Sequence, residues 1–132
     1  MRRSLIVALL MAGCAAMPQA FSERNGILAS ADGRTLYVFA KDAPGKSNCN
    51  GTCAQQWPPF IVRDGGAAGG AFAIITRDDG ARQWAREGQP LYFFAGDTAP
   101  GETKGDGLGG AWSVVKVTAQ TGIPARSSDG GY

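Results

Sequence analysis

The chain has 132 residues, 13 basic and 11 acidic side chains, a formal net charge of +2 and no histidine. Without histidine, a Ser-His-Asp or Cys-His catalytic device is excluded, and so is an imidazole-based zinc, copper or haem site. Arg2 and Arg3 carry the surplus positive charge, and no basic run follows them that would attract nucleic acid. We therefore expect a protein that is not an enzyme, has no cofactor and does not bind nucleic acid.

The N-terminus has the features of a bacterial lipoprotein signal. Two arginines precede an almost wholly apolar stretch from Leu5 to Met17, which is too short to cross a membrane as a helix. Within it, Met11-Ala12-Gly13-Cys14 resembles the lipobox, whose cysteine becomes the acylated N-terminus of the mature protein.

From this pattern we predict a signal peptide at residues 1–13, lipidation of Cys14 and a tether over residues 14–22. The protein would then be a cell-envelope lipoprotein on the periplasmic side, with the membrane as a partner through its N-terminal lipid. The alternative is ordinary signal cleavage after Ala20, which would release a free secreted protein.

The globular part, placed at residues 23–118, contains an internal repeat. The segment from Leu36 to Asp42 (LYVFAKD) returns from Leu91 to Asp97 (LYFFAGD), 55 positions later. The same offset joins three more pairs of identical residues: Gly33 and Gly88, Trp57 and Trp112, Val62 and Val117. A constant offset indicates two duplicated units. We place them at about residues 26–63 and 71–118, followed by a disordered polar tail at residues 119–132.

Short apolar segments between Gly, Asp and Pro turns predict an all-β fold, a small sandwich or open barrel. Seven strands are expected, at residues 27–30, 35–40, 60–63, 71–76, 81–85, 90–95 and 112–117. Asp32-Gly33 and Asp79-Gly80 predict two hairpin turns. The segments 36–40 and 91–95 are apolar on both faces, so we expect them in the centre, covered on both sides and related by a pseudo-twofold axis.

Both units carry Tyr-x-Phe-x-x-Asp before a Pro-Gly turn: Tyr37, Phe39 and Asp42 in the first, Tyr92, Phe94 and Asp97 in the second. A carboxylate just before a turn can accept backbone N–H groups of that turn. We therefore predict that the aromatic rings fill the core, together with Trp57, Trp84 and Trp112, and that each Asp binds its own loop far from the other. The alternative is a cation site at the pseudo-axis, with oxygen ligands from Tyr37, Asp42, Tyr92, Asp97 and Asp106.

Cys49 and Cys53 are close in sequence, and outside the cytoplasm two such cysteines usually form a disulfide. Lys104 and Leu108 occupy the equivalent positions at the same offset, so the bridge belongs to the first unit alone. The alternative is a thiol–disulfide or electron-transfer pair. Thr52 to Gln55 resembles a capping box, which would place Cys53 at a helix N-terminus where its thiolate is favoured.

Together these residues resemble a bacterial family of predicted secreted-repeat lipoproteins, named for its Tyr-x-(Phe/Trp/Tyr)-x-x-Asp motif. The first unit resembles the family at residues 33–37, 42–47, 49, 53 and 57–59, and the second at residues 83–84, 88–92, 96–97 and 105–112. Many members carry His or an aromatic residue where this chain has Ser113. The resemblance implies an envelope lipoprotein of two repeats, and it implies no reaction. The lipobox-like segment, the balanced charge of the chain without Arg2 and Arg3, and the lack of a catalytic constellation lead us to expect a module that binds a protein or small ligand or has a structural role.

Overall fold

Short strands and tight turns make up the structure, a computed structural model that describes residues 17–63 and 65–117. The strands are β1 (Phe21–Arg24), β2 (Ile27–Ser30), β3 (Tyr37–Phe39), β4 (Phe72–Thr76), β5 (Arg82–Arg86), β6 (Gln89–Pro90) and β7 (Trp112–Val114). The helical segments are α1 (Thr52–Gln56) and a 3₁₀ turn (Leu108–Gly110). The predicted all-β class is confirmed.

Several expectations fall on residues that the structure does not describe. These are the signal peptide at residues 1–13, the lipidation of Cys14 and the tail at residues 119–132. Among the described residues, none of the helices has the length and apolar character needed to cross a bilayer.

Three small antiparallel sheets contain the strands: β1–β2, β3–β7 and β4–β5–β6. In β3–β7, Tyr37 lies opposite Val114, so a strand of the first repeat pairs with a strand of the second. Within residues 17–63 and 65–117, these sheets do not close into a barrel.

The first hairpin lies earlier in the chain than expected. β1 and β2 are joined at Asn25 and Gly26, whose φ angles of 52° and 78° are both positive. An Asn-Gly pair with this geometry favours a tight two-residue hairpin. β1 begins at Phe21, and the Phe21 side chain is buried in the core. Residues 21 and 22 therefore belong to the folded part, and the tether expected over residues 14–22 is wrong at its C-terminal end.

The two predicted hairpin turns differ in outcome. The Asp79-Gly80 hairpin is confirmed, because β4 and β5 pair along five positions from Phe72 opposite Arg86 to Thr76 opposite Arg82. At Asp32-Gly33 the chain reverses, but the pairing is limited to a single bridge between Ala29 and Thr35.

Residues 60–63 do not form the regular strand that was expected to close the first unit. Phe60 N–H donates to Leu91 O at 2.9 Å, and Phe60 O accepts Trp84 N–H at 2.9 Å. Pro59 bridges Tyr92 and Ile61 bridges Gln83, so the chain changes partner here and does not form a ladder along one strand. The segment therefore joins the second repeat through isolated bridges.

The two motif segments meet in the middle of the molecule. Tyr37 N–H donates to Tyr92 O at 2.8 Å, and Tyr92 N–H donates to Tyr37 O at 3.0 Å. Equivalent residues of the two repeats thus pair antiparallel, which is the relation that a twofold axis between them would produce.

Alternate side chains of these segments enter two separate hydrophobic clusters, as the pattern predicts. Leu36 and Leu91 lie in the first, which we call the Trp84 cluster, together with Phe21, Leu28, Phe72, Trp84, Val115 and Val117. Tyr37 and Tyr92 lie in the second, the tyrosine cluster, together with Cys49, Trp57 and Trp112. The central segments are therefore covered on both sides.

Candidate functional site

A stack of four aromatic rings lies in the tyrosine cluster. Trp57 and Trp112 are nearly parallel, with ring centroids 3.8 Å apart and an angle of 2° between planes. Phe39 stacks on Trp112 at 4.2 Å, and Phe94 packs on Trp57 at 4.5 Å. The stack therefore runs Phe39–Trp112–Trp57–Phe94, so equivalent residues of the two repeats occupy matching places.

The three tryptophans are buried, as predicted. The exposed fraction is 5% for Trp57, 8% for Trp112 and 1% for Trp84, which belongs to the other cluster. Tyr37 packs edge-on against Trp57 at 5.3 Å, and Tyr92 packs edge-on against Trp112 at 5.2 Å. These T-shaped contacts fix the orientation of both phenol rings.

Each tyrosine donates its hydroxyl proton to the aspartate of the other repeat. Tyr37 donates to Asp97 Oδ2 at 2.6 Å, and Tyr92 donates to Asp42 Oδ2 at 2.6 Å. We call this pair of bonds the cross-repeat lock. These crossed bonds were not predicted from the sequence, although the duplication contained a signal for them. Two antiparallel motif segments place each tyrosine near the residues that follow the opposite segment.

The other carboxylate oxygen of each aspartate binds its own loop, as predicted. Asp42 Oδ1 accepts Asn48 N–H at 2.7 Å, and Asp97 Oδ1 accepts Lys104 N–H at 2.9 Å. Each carboxylate thus connects a loop of its own repeat to a tyrosine of the other. The two carboxylates share no hydrogen-bond partner in the described part of the chain.

The electrostatic environment keeps the tyrosines protonated. Burial raises the pKa of the Tyr37 and Tyr92 phenols far above their usual value, and the adjacent carboxylates raise it further. Burial also raises the pKa of the Asp42 carboxyl, while the bonds from Tyr92 and Asn48 oppose that shift. At neutral pH the phenols are donors, as the lock requires.

The geometry gives no support to a cation site at the pseudo-axis. The oxygens of Asp42 and Asp97 accept the bonds just described, and Asp106 Oδ1 accepts Val114 N–H at 3.1 Å. Within residues 17–63 and 65–117, no group of three His, Cys, Asp or Glu side chains is placed to hold a metal ion.

A buried arginine supports the first loop. Arg77 is 5% exposed, and its Nη1 donates to Ser47 Oγ at 3.0 Å and to Gln83 Oε1 at 2.8 Å. Its Nη2 donates to Cys49 O at 2.7 Å. Ser47 Oγ in turn lies 2.6 Å from the Tyr92 hydroxyl, so the arginine connects the loop to the lock. In the sequence Arg77 precedes Asp-Asp-Gly, which is typical of an exposed turn, so its role was missed.

The predicted disulfide joins Cys49 and Cys53. Cys49 is fully buried in the tyrosine cluster, and Cys53 is half-buried beside it. The capping box is wrong, because Gly51 is the N-cap of α1, no side chain caps the helix, and Thr52 is its first residue.

The second loop reaches its tyrosine through glycine. Gly105 N–H donates to the Tyr37 hydroxyl at 3.1 Å, and a Cβ at this position would lie 2.7 Å from Trp57 Cη2. Asp42 binds the residue six positions after it, Asn48, whereas Asp97 binds the residue seven positions after it, Lys104. Lys104 is therefore equivalent to Asn48, and Gly105 is equivalent to Cys49. The one-residue difference corresponds to Thr98, which has no counterpart in the first loop.

An open cleft of about 480 Å³ lies between the second loop and the tryptophan stack. Trp57, Trp112, Phe94 and Leu108 form its apolar walls, Gln56 contributes a polar side chain, and no charged residue lines it. Leu108 is 42% exposed at its edge. The sequence does not predict this cleft, because the cleft depends on how closely the glycine-rich loop approaches the tryptophan stack.

Comparison with known protein families identifies the chain. A family described as a secreted repeat of unknown function matches residues 20–60 and 73–116. The chain belongs to this family. The two matched segments confirm the duplication, and membership indicates an extracytoplasmic location. No curated protein and no solved structure matched the chain.

Proposed function

We propose that this secreted-repeat protein is a non-enzymatic binding module of the cell envelope, anchored to the membrane by a lipid on Cys14. The observation that supports a non-enzymatic role is the cross-repeat lock. Its tyrosines and aspartates are engaged in holding the two repeats together, as expected of a scaffold in a pseudo-twofold sandwich. A partner, which is a protein or a small ligand, would then contact other parts of the surface.

Anchoring is supported by the lipobox-like Met11 to Cys14 and by membership of a secreted family. β1 begins at Phe21, so few residues separate Cys14 from the folded part. An extended chain spans about 3.5 Å per residue, so the domain would lie within roughly 25 Å of the membrane surface.

Metabolic labelling with a fatty-acid analogue tests the anchor. We expect the wild-type protein to be labelled and to sediment with membranes, and the Cys14→Ala variant to lose both properties. A Cys49→Ala/Cys53→Ala variant serves as the control and should keep the label. Labelled Cys14→Ala protein, or unlabelled wild type, would contradict the proposal.

A second candidate is thiol–disulfide exchange or electron transfer by Cys49 and Cys53. The half-buried position of Cys53 in the first turn of α1 favours it, because a helix N-terminus stabilises a thiolate. Structural disulfides have reduction potentials below about −300 mV, whereas catalytic pairs lie higher. We expect the low value, because Cys49 is fully buried. A potential near about −150 mV would favour the redox function instead.

A further inference from the structure

We propose that the tyrosine cluster is a one-electron redox site, in which the tryptophan stack loses an electron to an oxygen-centred radical and a buried tyrosine becomes a neutral radical. This inference goes beyond the proposed binding role, and it depends neither on lipidation of Cys14 nor on thiol–disulfide exchange. Three features of the cluster lead to it: the access that solvent has to its rings, the proton acceptor on each phenol and the oxidised state of the neighbouring cysteines.

Solvent has access to the tryptophans of the cluster but not to its tyrosines. Trp57 and Trp112 line the open cleft and are 5% and 8% exposed, whereas both tyrosines are 0% exposed. Tyr37 packs against Trp57 with ring centroids 5.3 Å apart, and Tyr92 packs against Trp112 at 5.2 Å. The two indoles are themselves stacked at 3.8 Å. A radical in solution therefore meets an indole first, and rings in contact carry an electron to that indole from either phenol.

Each phenol has a carboxylate in place to take its proton. Tyr37 donates to Asp97 Oδ2 and Tyr92 donates to Asp42 Oδ2, both at 2.6 Å. Hydrogen bonds of this length to an ionised acceptor are the strong ones. A phenol that loses an electron becomes strongly acidic, so its proton moves along this bond as the electron leaves. The carboxylate receives the proton without a rearrangement of either side chain.

Electrons and protons balance when the oxidant is a peroxyl radical. The peroxyl radical takes one electron from the tryptophan stack and one proton from solvent, and becomes a hydroperoxide. The indole radical cation then takes an electron from the adjacent tyrosine and is restored. The phenol O–H bond breaks, its proton forms a new O–H bond on the aspartate, and a neutral tyrosyl radical remains. The cluster thus converts a reactive radical in solution into a buried one.

The neighbouring sulfur atoms are in a form that does not quench this radical. A thiol reduces a tyrosyl radical by giving up a hydrogen atom. Cys49 belongs to the tyrosine cluster and Cys53 packs against it, but the two are joined as a disulfide. Because both phenols are also shielded from solvent, reductants in solution do not contact them directly. The radical therefore persists after it has formed.

Pulse radiolysis with the azide radical, which oxidises tryptophan selectively, tests the proposal. The protein is the full chain with Cys14→Ala and Tyr132→Phe, so the two tyrosines of the cluster are the only ones present. We expect the green-absorbing tryptophan radical to decay as the violet-absorbing tyrosyl radical forms, at a rate that does not depend on protein concentration. The rate should be lower in heavy water, because a proton moves with the electron.

Variants of the cluster identify the proton acceptors and the radical sites. Asp42→Asn/Asp97→Asn preserves the shape of both side chains but removes the bases, and it should slow formation of the tyrosyl radical by at least ~10²-fold, a factor that a positioned base contributes. Tyr37→Phe and Tyr92→Phe should each retain a radical on the remaining tyrosine, and the double variant should form none. Trp84→Phe is the control, because it removes the tryptophan of the other cluster, and it should leave the rate unchanged.

Several results would overturn the proposal. These are a tryptophan radical that does not pass to tyrosine, a rate that is equal in ordinary and heavy water, an unchanged rate without the two carboxylates, or loss of the tyrosyl radical in Trp84→Phe. Near-UV circular dichroism verifies that each variant is folded. The first two results come from the protein with its cluster intact, so they decide the proposal even if a variant does not fold.

Discussion

The two loops that follow the motif both bind the aspartate of their own repeat, but different contacts stabilise the rest of each loop. In the first, Asp42 binds the loop backbone, and a disulfide, a short helix and the buried Arg77 complete the structure. In the second, Asp97 binds the backbone in the same way, and glycines close against the tryptophan stack. The part that is repeated is the lock, so the lock is what the duplicated architecture requires.

The environment of each tyrosine hydroxyl shows how the loops diverged. Tyr37 receives the Gly105 N–H directly at 3.1 Å. In the first loop, Ser47 Oγ lies between the tyrosine and the backbone, 2.6 Å from the Tyr92 hydroxyl and 3.3 Å from Cys49 N. A serine hydroxyl relays the contact where the backbone lies further away. In the first loop, the Ser47 hydroxyl is part of a polar network. In the second loop, the backbone packs against Trp57 at a distance that only glycine permits.

The sharpest way to test this comparison is to remove Arg77, which has no counterpart in the second loop. Arg77→Ala would leave the Ser47 and Gln83 side chains and the Cys49 carbonyl without their donor. Buried groups that lose a charged partner cost about 1–3 kcal/mol each, so we expect a loss of at least ~3 kcal/mol. Urea unfolding at pH 7 measures it. Exposed Arg82→Ala is the control and should change stability by less than ~0.5 kcal/mol.

Breaking the lock one tyrosine at a time should cost somewhat less. A hydrogen bond to a charged group contributes about 1.5–3 kcal/mol. We therefore expect Tyr37→Phe and Tyr92→Phe each to destabilise the fold by ~2 kcal/mol, since each variant also removes a second contact, with Gly105 N–H for Tyr37 and with Ser47 Oγ for Tyr92. A double-mutant cycle with Asp42→Asn should show coupling to Tyr92→Phe and none to Tyr37→Phe. Coupling to Tyr37 instead would disprove the crossed pairing.

Removing the disulfide should have the smallest effect of the three on global stability. The ring that it closes is short, and the loop-entropy account gives about 2 kcal/mol at most. Cys49→Ala/Cys53→Ala is the suitable variant, because Ser would place a hydroxyl in a buried position. Hydrogen exchange should rise at the Asn48 amide and stay unchanged at the Lys104 amide, its partner in the second loop. Equal changes at both amides would mean that the loops are not independent.

Local patterns were sufficient to predict the all-β class and the two faces of the central segments. Alternation places Leu36 and Tyr37 on opposite sides whichever strand lies beside them. The Asn25-Gly26 turn carries an equally strong local signal. A first unit that begins at about residue 26 excludes this turn's first strand, of which Phe21 and Ser22 fall in the predicted tether.

Features that depend on distant partners were not predicted. The burial of Arg77 is decided by a loop that lies 27 to 30 residues earlier in the chain. The crossed bonds join residues separated by 60 and 50 positions. The alternation of apolar and polar residues along a strand carries no information about contacts over such sequence separations. The cleft depends on how Leu108 and Gly109 lie beside the tryptophan stack, which no residue pattern specifies.

The weakest expected effect concerns how the lock of the first loop responds to pH. Burial raises the pKa of Asp42 in the folded protein, so the folded form holds this proton more tightly than the unfolded chain does. The contribution to stability is full below the ordinary value of 3.8 and is lost as the pH rises through the folded-state pKa. The slope should be shallow, because the carboxyl is only half-buried and solvent screens it.

Urea unfolding at a series of pH values, compared between wild type and Asp42→Asn, isolates this contribution. Above pH 3.8, wild-type stability should fall relative to the variant as the carboxyl ionises. Tyr92→Phe should extend that fall to higher pH, because the Tyr92 bond is the strongest influence that lowers the pKa of Asp42. A wild type that gains stability relative to Asp42→Asn over the same range would show that hydrogen bonding outweighs burial. The lock would then favour the ionised carboxylate, and the first loop would be most stable at neutral pH.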